Sequence, residues 1–572
     1  MAPRPSPGPD APRTIAYFSM EVGVEASIPT YAGGLGVLAG DTLKAVADLG
    51  LPVAGVTLVH RRGYFRQRLD AAGNQSEWFG GWSPEERLEA LDPRVSVEIE
   101  GRDVVLRAWR LGLTGRGGGE VPVYFLDADL ADNAEEDRRL TDHLYGGDDR
   151  YRLVQEAILG LGGVAMLRAL GHVSIVTFHM NEGHSALLAL ALHEADGSPE
   201  SVRERCVFTT HTPVPAGHDR FPLDLVRGVL GEPRTVALES LGGVVDGALD
   251  MTRLALVSSR WVNAVAVRHG EVTRAMFPDV RVRSITNGVH AGTWVAPSIA
   301  RLFDSRVPDW RLDPFHLRYA GEIPIGELAA AHHEAKRALL EEVEVRSGRR
   351  LDEDALTLGF ARRATPYKRA ALLFTDVERL RAIARQAGKL QIIYAGKAHP
   401  RDEEGKAGIR RVFAAAAALG DDVPVVWLED YDMALAARLC AGVDVWLNTP
   451  IKPREASGTS GMKAALNGVP SLSVADGWWV EGLVEGVTGW SIDGGGEEGP
   501  ESEAASLYAK LEGLVLPLFH RDPEAWGRIM RTSIAVNGSF FHAQRMVLQY
   551  AAHAWGFSSI AGVAAPEEAV RP

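Results

Sequence analysis

The sequence predicts an α/β protein built as two doubly wound domains that face each other across a cleft. Three observations predict it. Short apolar strands alternate with alanine-rich amphipathic helical stretches, the rhythm of parallel sheets covered by helices on both faces. These units come in two series, one before Trp294 and one after about Ala355. Between them, residues 296–324 are rich in Trp, Asp and Pro and break the rhythm. With 572 residues, 46% hydrophobic and 24% charged, the chain can bury more than one core.

Taken in order, the Pro-rich residues 1–12 lack a basic segment followed by an apolar one and read as a disordered tail. Residues 13–300 form the first domain, with strands expected at 53–59, 175–178 and 207–210. Its first helix is opened by Gly33-Gly34-Leu35-Gly36 and runs through Asp41 to Asp48. After the break, a helical run extends from Gly326 to about Val345. The second domain, 301–560, carries strands at 357–360, 390–394 and 443–447, and its last helices can pack back on the first. Residues 561–572 read as a second tail.

A formal charge of −14, from 61 basic and 75 acidic residues, argues against a nucleic-acid or anionic membrane partner, so phosphate must be bound by local cations. No uncharged run of bilayer length stands out. Cys206 and Cys440 are the two cysteines, too few for a disulfide framework or thiolate metal site, which fits a reducing cytoplasm.

The segment from Glu455 to Gly468 brings a carboxylate, a glycine-rich turn and Lys463 together between two apolar strands. A helix over 462–466, stopped by Asn467-Gly468, places Lys463 at its start. Gly458 and Gly461 let backbone N–H groups converge, and a helix N-terminus favours a phosphate. An amine beside a phosphate site is what the aldehyde of pyridoxal phosphate requires. The same turn also serves as an ordinary helix cap.

Arg362, Arg363, Tyr367, Lys368 and Arg369 follow the strand ending at Phe360. Cations at the carboxyl end of a strand point into the cleft of this architecture, although a solvated charged face is the plain alternative. Gly34-x-Gly36-x-x-Ala39 fits a dinucleotide fingerprint, but the next strand ends in His60-Arg61-Arg62, with no acidic residue for a ribose, which counts against NAD. In His179-Met180-Asn181-Glu182-Gly183-His184 the histidines are five apart at an expected strand-to-helix junction, the wrong spacing for zinc. No metal is expected; Asn181, Glu182 and His184 suit hydrogen bonds to hydroxyls instead. His211 reads equally as a structural histidine, and Asn287-Gly288 as a turn.

Together these segments resemble the α-glucan phosphorylases, the glycogen, starch and maltodextrin enzymes that depend on pyridoxal 5'-phosphate. The likeness runs from about Ile15 to Trp490 and rests on Tyr-Ala-Gly-Gly-Leu-Gly at Tyr31, His-Met-Asn-Glu-Gly-His at His179, Thr-His-Thr-Pro at Thr210, Thr-Asn-Gly-Val at Thr286, Pro-Tyr-Lys-Arg at Pro366 and Glu-Ala-Ser-Gly-Thr at Glu455. Trp294 lies seven after Asn287, and Tyr431 twenty-four before Glu455, as in the family pattern.

The resemblance implies two Rossmann-like domains of GT-B glycosyltransferase type, the first on the glucan side and the second on the cofactor and phosphate side. It matches Lys463 to the Schiff-base lysine. Thr459, Ser460, Arg362, Gly33 and Gly34 would hold the cofactor phosphate, with Trp294 and Tyr431 lining its pocket. Arg363, Lys368 and the Gly34 backbone would bind substrate phosphate. Glu455, Ser457, Gly458, Tyr367, His211 and Asn287 would grip glucosyl hydroxyls, joined by Glu182 and His184, while Asp444 braces a strand end. The implied reaction is reversible phosphorolysis of maltodextrin or glycogen ends by inorganic phosphate, giving glucose 1-phosphate with retention. Lys463, Arg363, Lys368, Glu455 and His211 would form its catalytic set.

Some features depart from the long animal and plant enzymes. The chain starts near the first strand, so the extension that carries nucleotide and phosphorylation control there is expected to be absent. Ser460-Gly461 stands where those enzymes have Gly-Asn, and Tyr145-Gly146-Gly147-Asp148 does not match their gate loop. Homo-oligomerisation stays open. The rival readings are a sugar-nucleotide-dependent glycogen or starch synthase, which needs no such lysine, and a glucan-binding protein without catalysis.

Overall fold

A computed structural model describes residues 12–214, 217–494 and 499–557. The tails expected at 1–12 and 561–572 therefore lie outside the described residues, apart from Pro12.

The first sheet is assembled from β1 (Ile15–Phe18), β2 (Val53–Leu58), β5 (Glu89–Ile99), β6 (Arg102–Thr114), β7 (Glu120–Asp127), β8 (Thr177–Asn181), β9 (Cys206–Thr209), β10 (Trp261–Ala264) and β11 (Val282–Ser284). Its order is β11-β10-β9-β8-β1-β2-β7-β6-β5. The second sheet has β12 (Leu356–Ala361), β13 (Leu390–Ala395), β14 (Val425–Leu428), β15 (Val445–Asn448), β16 (Ser471–Val474) and β17 (Gly489–Ile492), in the order β14-β13-β12-β15-β16-β17. Every pairing in the second sheet is parallel. Its central strand β12 is buried along its whole length, as a strand covered by helices on both faces must be.

The first sheet departs from the all-parallel expectation at one edge, where β5, β6 and β7 pair antiparallel. The β5–β6 turn is Glu100-Gly101, with φ of 53° and 72°, the paired left-handed conformation that suits a two-residue hairpin. The strand expected at 175–178 is displaced to Thr177–Asn181. Val176, inside the expected span, is 61% exposed.

Each sheet has a strand whose chain leaves in one direction and returns on the other side. In the first sheet these neighbours are β1 and β8; in the second they are β12 and β15. Loops beyond the carboxyl ends of such strands form the crevice where ligands bind in open α/β sheets. Helix α1 (Gly34–Asp48) follows β1, α2 (Ile325–Ser347) links the two sheets, and α3 (Thr459–Leu466) follows β15.

A small hairpin, β3 (Arg66–Leu69) with β4 (Gln75–Trp78), reaches from the first half to the second. The Gln67 amide donates to the Gly396 carbonyl at 3.0 Å and accepts from the Asp430 N–H at 3.1 Å. At the other end of the chain, α4 (Ala543–Gln549) lies against α1, and the Ala543 N–H donates to the Val289 carbonyl at 2.8 Å.

Candidate active site

The two crossover loops of the second sheet are stitched together. Arg369, in the left-handed region at φ 48°, donates to the Thr449 and Pro450 carbonyls at 2.9 and 2.8 Å, and the Ile451 N–H donates to the Tyr367 carbonyl at 2.8 Å. This brings Arg362 and Lys368, after β12, to Glu455, after β15. The Glu455 carboxylate accepts from Lys368 Nζ and from Arg362 Nη1, the latter at 3.2 Å. Burial raises the Glu455 carboxyl, but Arg362 and Lys368 outweigh it and hold it below its ordinary value. Asp476 Oδ2 accepts the Glu455 backbone N–H at 2.9 Å and fixes the loop.

Arg363 behaves differently from its neighbour. Its side chain is exposed, and Tyr64, Glu21, Tyr145 and Tyr367 lie near enough to favour its charge. Among the described residues no carboxylate lies within ion-pairing distance of it. Its Nη2 lies 3.1 Å from where a Cβ on Gly33 would sit, so the crossover loops of the two sheets meet here. A Cβ on Gly34 would meet nothing within 4 Å.

The glycine loop is itself anchored. Glu21 Oε2 accepts the N–H groups of Ala32 and Gly33 at 2.6 and 3.3 Å, and its Oε1 accepts the Tyr145 hydroxyl at 2.8 Å. Arg152 stacks over the Tyr145 ring, with Cζ 4.5 Å from the centroid. Glu21 and Tyr145 were not among the sequence candidates. The signal for Glu21 was its position just past β1; Tyr145 gave none.

Helix α3 begins at Thr459, not at 462, so Lys463 stands one turn inside the helix rather than at its start. The bare N-terminus belongs to Thr459, Ser460 and Gly461, capped by Gly458 in the left-handed region at φ 87°. Gly461 has to lack a side chain, since a Cβ would come within 2.7 Å of the Trp478 ring. Ser460 Oγ accepts from Trp446 Nε1 at 3.1 Å, which leaves its own hydrogen free to donate. Lys463 is 6% exposed, with Nζ 3.7 Å from the Trp294 ring centroid. Burial pushes this amine below its ordinary value; Asp41 and Cys440 oppose the fall and Lys44 adds to it. The Tyr431 phenol, pushed well up by burial, lies near Arg362 and Cys440.

Other candidates are engaged inside the first sheet. Glu182 sits at φ 78° and its carboxylate accepts the N–H of Gly183 at 2.9 Å, the N–H of His211 at 2.7 Å and the Thr212 hydroxyl at 2.9 Å. His211 Nε2 pairs with Asn181 Oδ1 at 2.7 Å, and burial pushes the ring down to about 4. His184 Nε2 lies 3.3 Å from Asp219. His179 falls within β8 rather than at a junction, packed against Tyr550 and Trp555. Three candidate atoms are buried without a partner, Asn287 Oδ1, Ser457 Oγ and His184 Nδ1. Asp444 takes Lys336 Nζ at 2.6 Å and the Thr357 N–H at 2.8 Å at the opposite, amino end of the second sheet.

Two open sheets whose crossover loops face each other, one with a glycine loop and the other with paired cations, define a GT-B type glycosyltransferase. Residues 224–488 match the carbohydrate phosphorylase family. The chain is 40% identical over 590 residues to the maltodextrin phosphorylase of Thermococcus litoralis, a match covering 94% of this chain and 70% of that protein. It is 39% identical over 618 residues to the glycogen phosphorylase of Mycobacterium tuberculosis, covering 95% and 70%, and 34% identical over 601 residues to that of Aquifex aeolicus, covering 94% and 85%. The chain belongs to the carbohydrate phosphorylase family.

Proposed function

We propose that this enzyme cleaves the terminal α-1,4 linkage of a maltodextrin or glycogen chain with inorganic phosphate, reversibly, to give glucose 1-phosphate with retention. Residues 13–300 serve as the glucan side and 301–560 as the cofactor and phosphate side. The observation that carries this reading is the cation cluster of Arg362, Arg363 and Lys368, gathered at the crossover of the second sheet opposite the Gly33-Gly34 loop of the first.

The residues around Lys463 fit pyridoxal 5'-phosphate. Burial favours the neutral, nucleophilic amine, and the α3 N-terminus with the Thr459 and Ser460 hydroxyls and Arg362 makes a phosphate-binding donor set. Trp294 and Tyr431 would line the ring pocket, and Gly33 and Gly34 would leave room for the group on the facing side. When bound, the cofactor supplies a phosphate whose second pKa, about 6, allows proton exchange with substrate phosphate near neutrality.

Arg363 receives the substrate phosphate, since it is charged, reachable and free of a carboxylate partner. Lys368 shares its charge between that phosphate and Glu455, and the Gly34 backbone closes the site from the first sheet. The substrate phosphate protonates the glycosidic oxygen and then attacks the anomeric carbon. Ser457 and Asn287, whose buried oxygens lack partners, would bind glucosyl hydroxyls, together with Glu455, Gly458, Tyr367 and His211. Glu182 supports His211 from behind. Both cysteines are free and buried, which suits a reducing cytoplasm; among the described residues no helix is long and apolar enough to cross a membrane.

The test is phosphate-dependent formation of glucose 1-phosphate from maltodextrins of graded length and from glycogen. Release without phosphate, or none from any glucan, overturns the reading. Lys463→Ala is expected to lose activity about a thousandfold or more and to lose the pyridoxal absorbance. Borohydride reduction followed by peptide mapping should label Lys463; a label on another lysine defeats the cofactor assignment.

A further inference from the structure

Trp294 is held from three directions. Its carbonyl accepts the Asn467 side-chain amide at 2.9 Å, and Asn467, which ends α3, also donates to the Lys463 carbonyl at 2.9 Å. Its indole N–H donates to both carboxylate oxygens of Asp41, at 3.0 and 2.7 Å. Its ring face lies under the Lys463 amine at 3.7 Å. Trp294 and Asp41 are 1% and 0% exposed.

Asp41 lies on α1, in the half of the chain opposite Lys463, and besides accepting from the Trp294 indole it favours the charged form of Lys44. A buried carboxylate is costly unless it is paired. A buried indole N–H needs only one neutral acceptor. A carboxylate there does more: it locks the ring plane, and its charge enriches the π face that the amine meets. Asn467 prevents the indole from following α1 alone, so the ring is fixed relative to α3 and Lys463.

We propose that Asp41 is a positioning residue for Lys463, acting through the Trp294 indole to hold the amine where the cofactor is attached. This rests on pyridoxal phosphate binding at Lys463. The charged groups facing that amine are Asp41 from α1, which favours its cationic form, and Lys44 from α1, which opposes it; the Cys440 thiol, pushed up to about 12 by burial, also faces it from the neighbouring helix. Lys44 is itself tied to the Thr293 hydroxyl at 3.1 Å.

The test uses the holoenzyme, Asp41→Asn, Trp294→Phe and the double variant. The measurements are the rate of cofactor release into buffer, the pH dependence of cofactor absorbance, and thermal unfolding of each apoprotein. Asp41→Asn keeps an acceptor for the indole, so the apoprotein should unfold close to wild type. Its cofactor should leave about tenfold faster, and the spectral midpoint should move to lower pH because a negative charge near the amine is gone. The double variant should release cofactor no faster than Trp294→Phe alone. Additive release rates, or an unfolding shift with release and midpoint unchanged, would make Asp41 a fold element and overturn the inference. A wild-type chain that takes up no pyridoxal phosphate overturns the cofactor reading and this inference together; wild-type uptake with additive variants overturns this inference alone.

Discussion

Two buried glutamates stand just beyond strand ends in the two halves of the enzyme, and they hold their charge by opposite means. Glu455 is paired with the side-chain cations Arg362 and Lys368. Glu182 is satisfied by the N–H groups of Gly183 and His211 and the Thr212 hydroxyl, with His211, His184 and His218 nearby. Burial raises both carboxyls, and these partners bring both below their ordinary value. Backbone donors cannot be redirected to a ligand without unfolding the loop, whereas side-chain cations can turn from a carboxylate to a phosphate. On the proposed reading, Glu182 builds its site and Glu455 keeps cations ready in its own.

Removing each carboxylate should separate these roles. Glu455→Gln leaves Arg362 and Lys368 as uncompensated buried cations, an expected loss of about 3–5 kcal/mol in unfolding free energy. Phosphate should restore part of it, about 2.7 kcal/mol at a hundred times its dissociation constant. Glu182→Gln loses charge-assisted hydrogen bonds, an expected loss of about 1–3 kcal/mol that phosphate does not restore. Chemical denaturation with and without phosphate checks both. Equal phosphate rescue in the two variants would refute the division of labour.

Much of this organisation was legible in the chain because strand-end loops are short. Once β12 and β15 are recognised, Arg362, Lys368 and Glu455 must lie near the same crevice. The start of α3 was missed because Thr, Ser and Gly are poor helix formers, so its first turn carries no apolar signal. The β5–β6 hairpin did carry a signal, with Val104, Leu106 and Ala108 alternating on its buried face and Glu100-Gly101 at its turn. Glu21 carried only its position just past β1, and neither its partner Tyr145 nor the Trp294 partner of Asp41 was legible, since they lie 124 and 253 residues away. Tertiary contact of that range leaves no local pattern.

Acidification should act on the two halves in sequence. In the first half and in the chain end that pairs with it at Val289, burial pushes His60, His211 and His269 down to about 4 and His179 and His542 to about 3. The unfolded chain takes up these protons near its ordinary histidine value of about 6.5, so their contribution is complete above that pH and declines as pH falls toward the folded values. Glu455 has a lowered folded value, so its contribution persists until pH falls below the ordinary glutamate value of about 4.3 and is lost as pH falls through the folded one. Between pH 7 and 5, hydrogen exchange corrected for intrinsic rates should accelerate in β8 and β9 before β12 and β15. Simultaneous loss of protection, or the reverse order, would show that the histidines do not set acid stability.

Arg363 offers the smallest stability change and the cleanest functional one. Unlike Lys368 it has no carboxylate within ion-pairing distance among the described residues, and its side chain is exposed. The buried Glu21 loses a nearby cation but keeps its hydrogen bonds from Ala32, Gly33 and Tyr145, so Arg363→Ala should shift the unfolding free energy by no more than about 1 kcal/mol. The lost charge-assisted contacts should instead raise the KM for phosphate by about tenfold to a hundredfold. The KM for glucan should stay within about twofold, because the hydroxyl-binding candidates are other side chains. A large loss of stability would mean that Arg363 is structurally paired after all. Unchanged phosphate kinetics would mean that the phosphate enters elsewhere, and the free cation facing Gly33 would need another explanation.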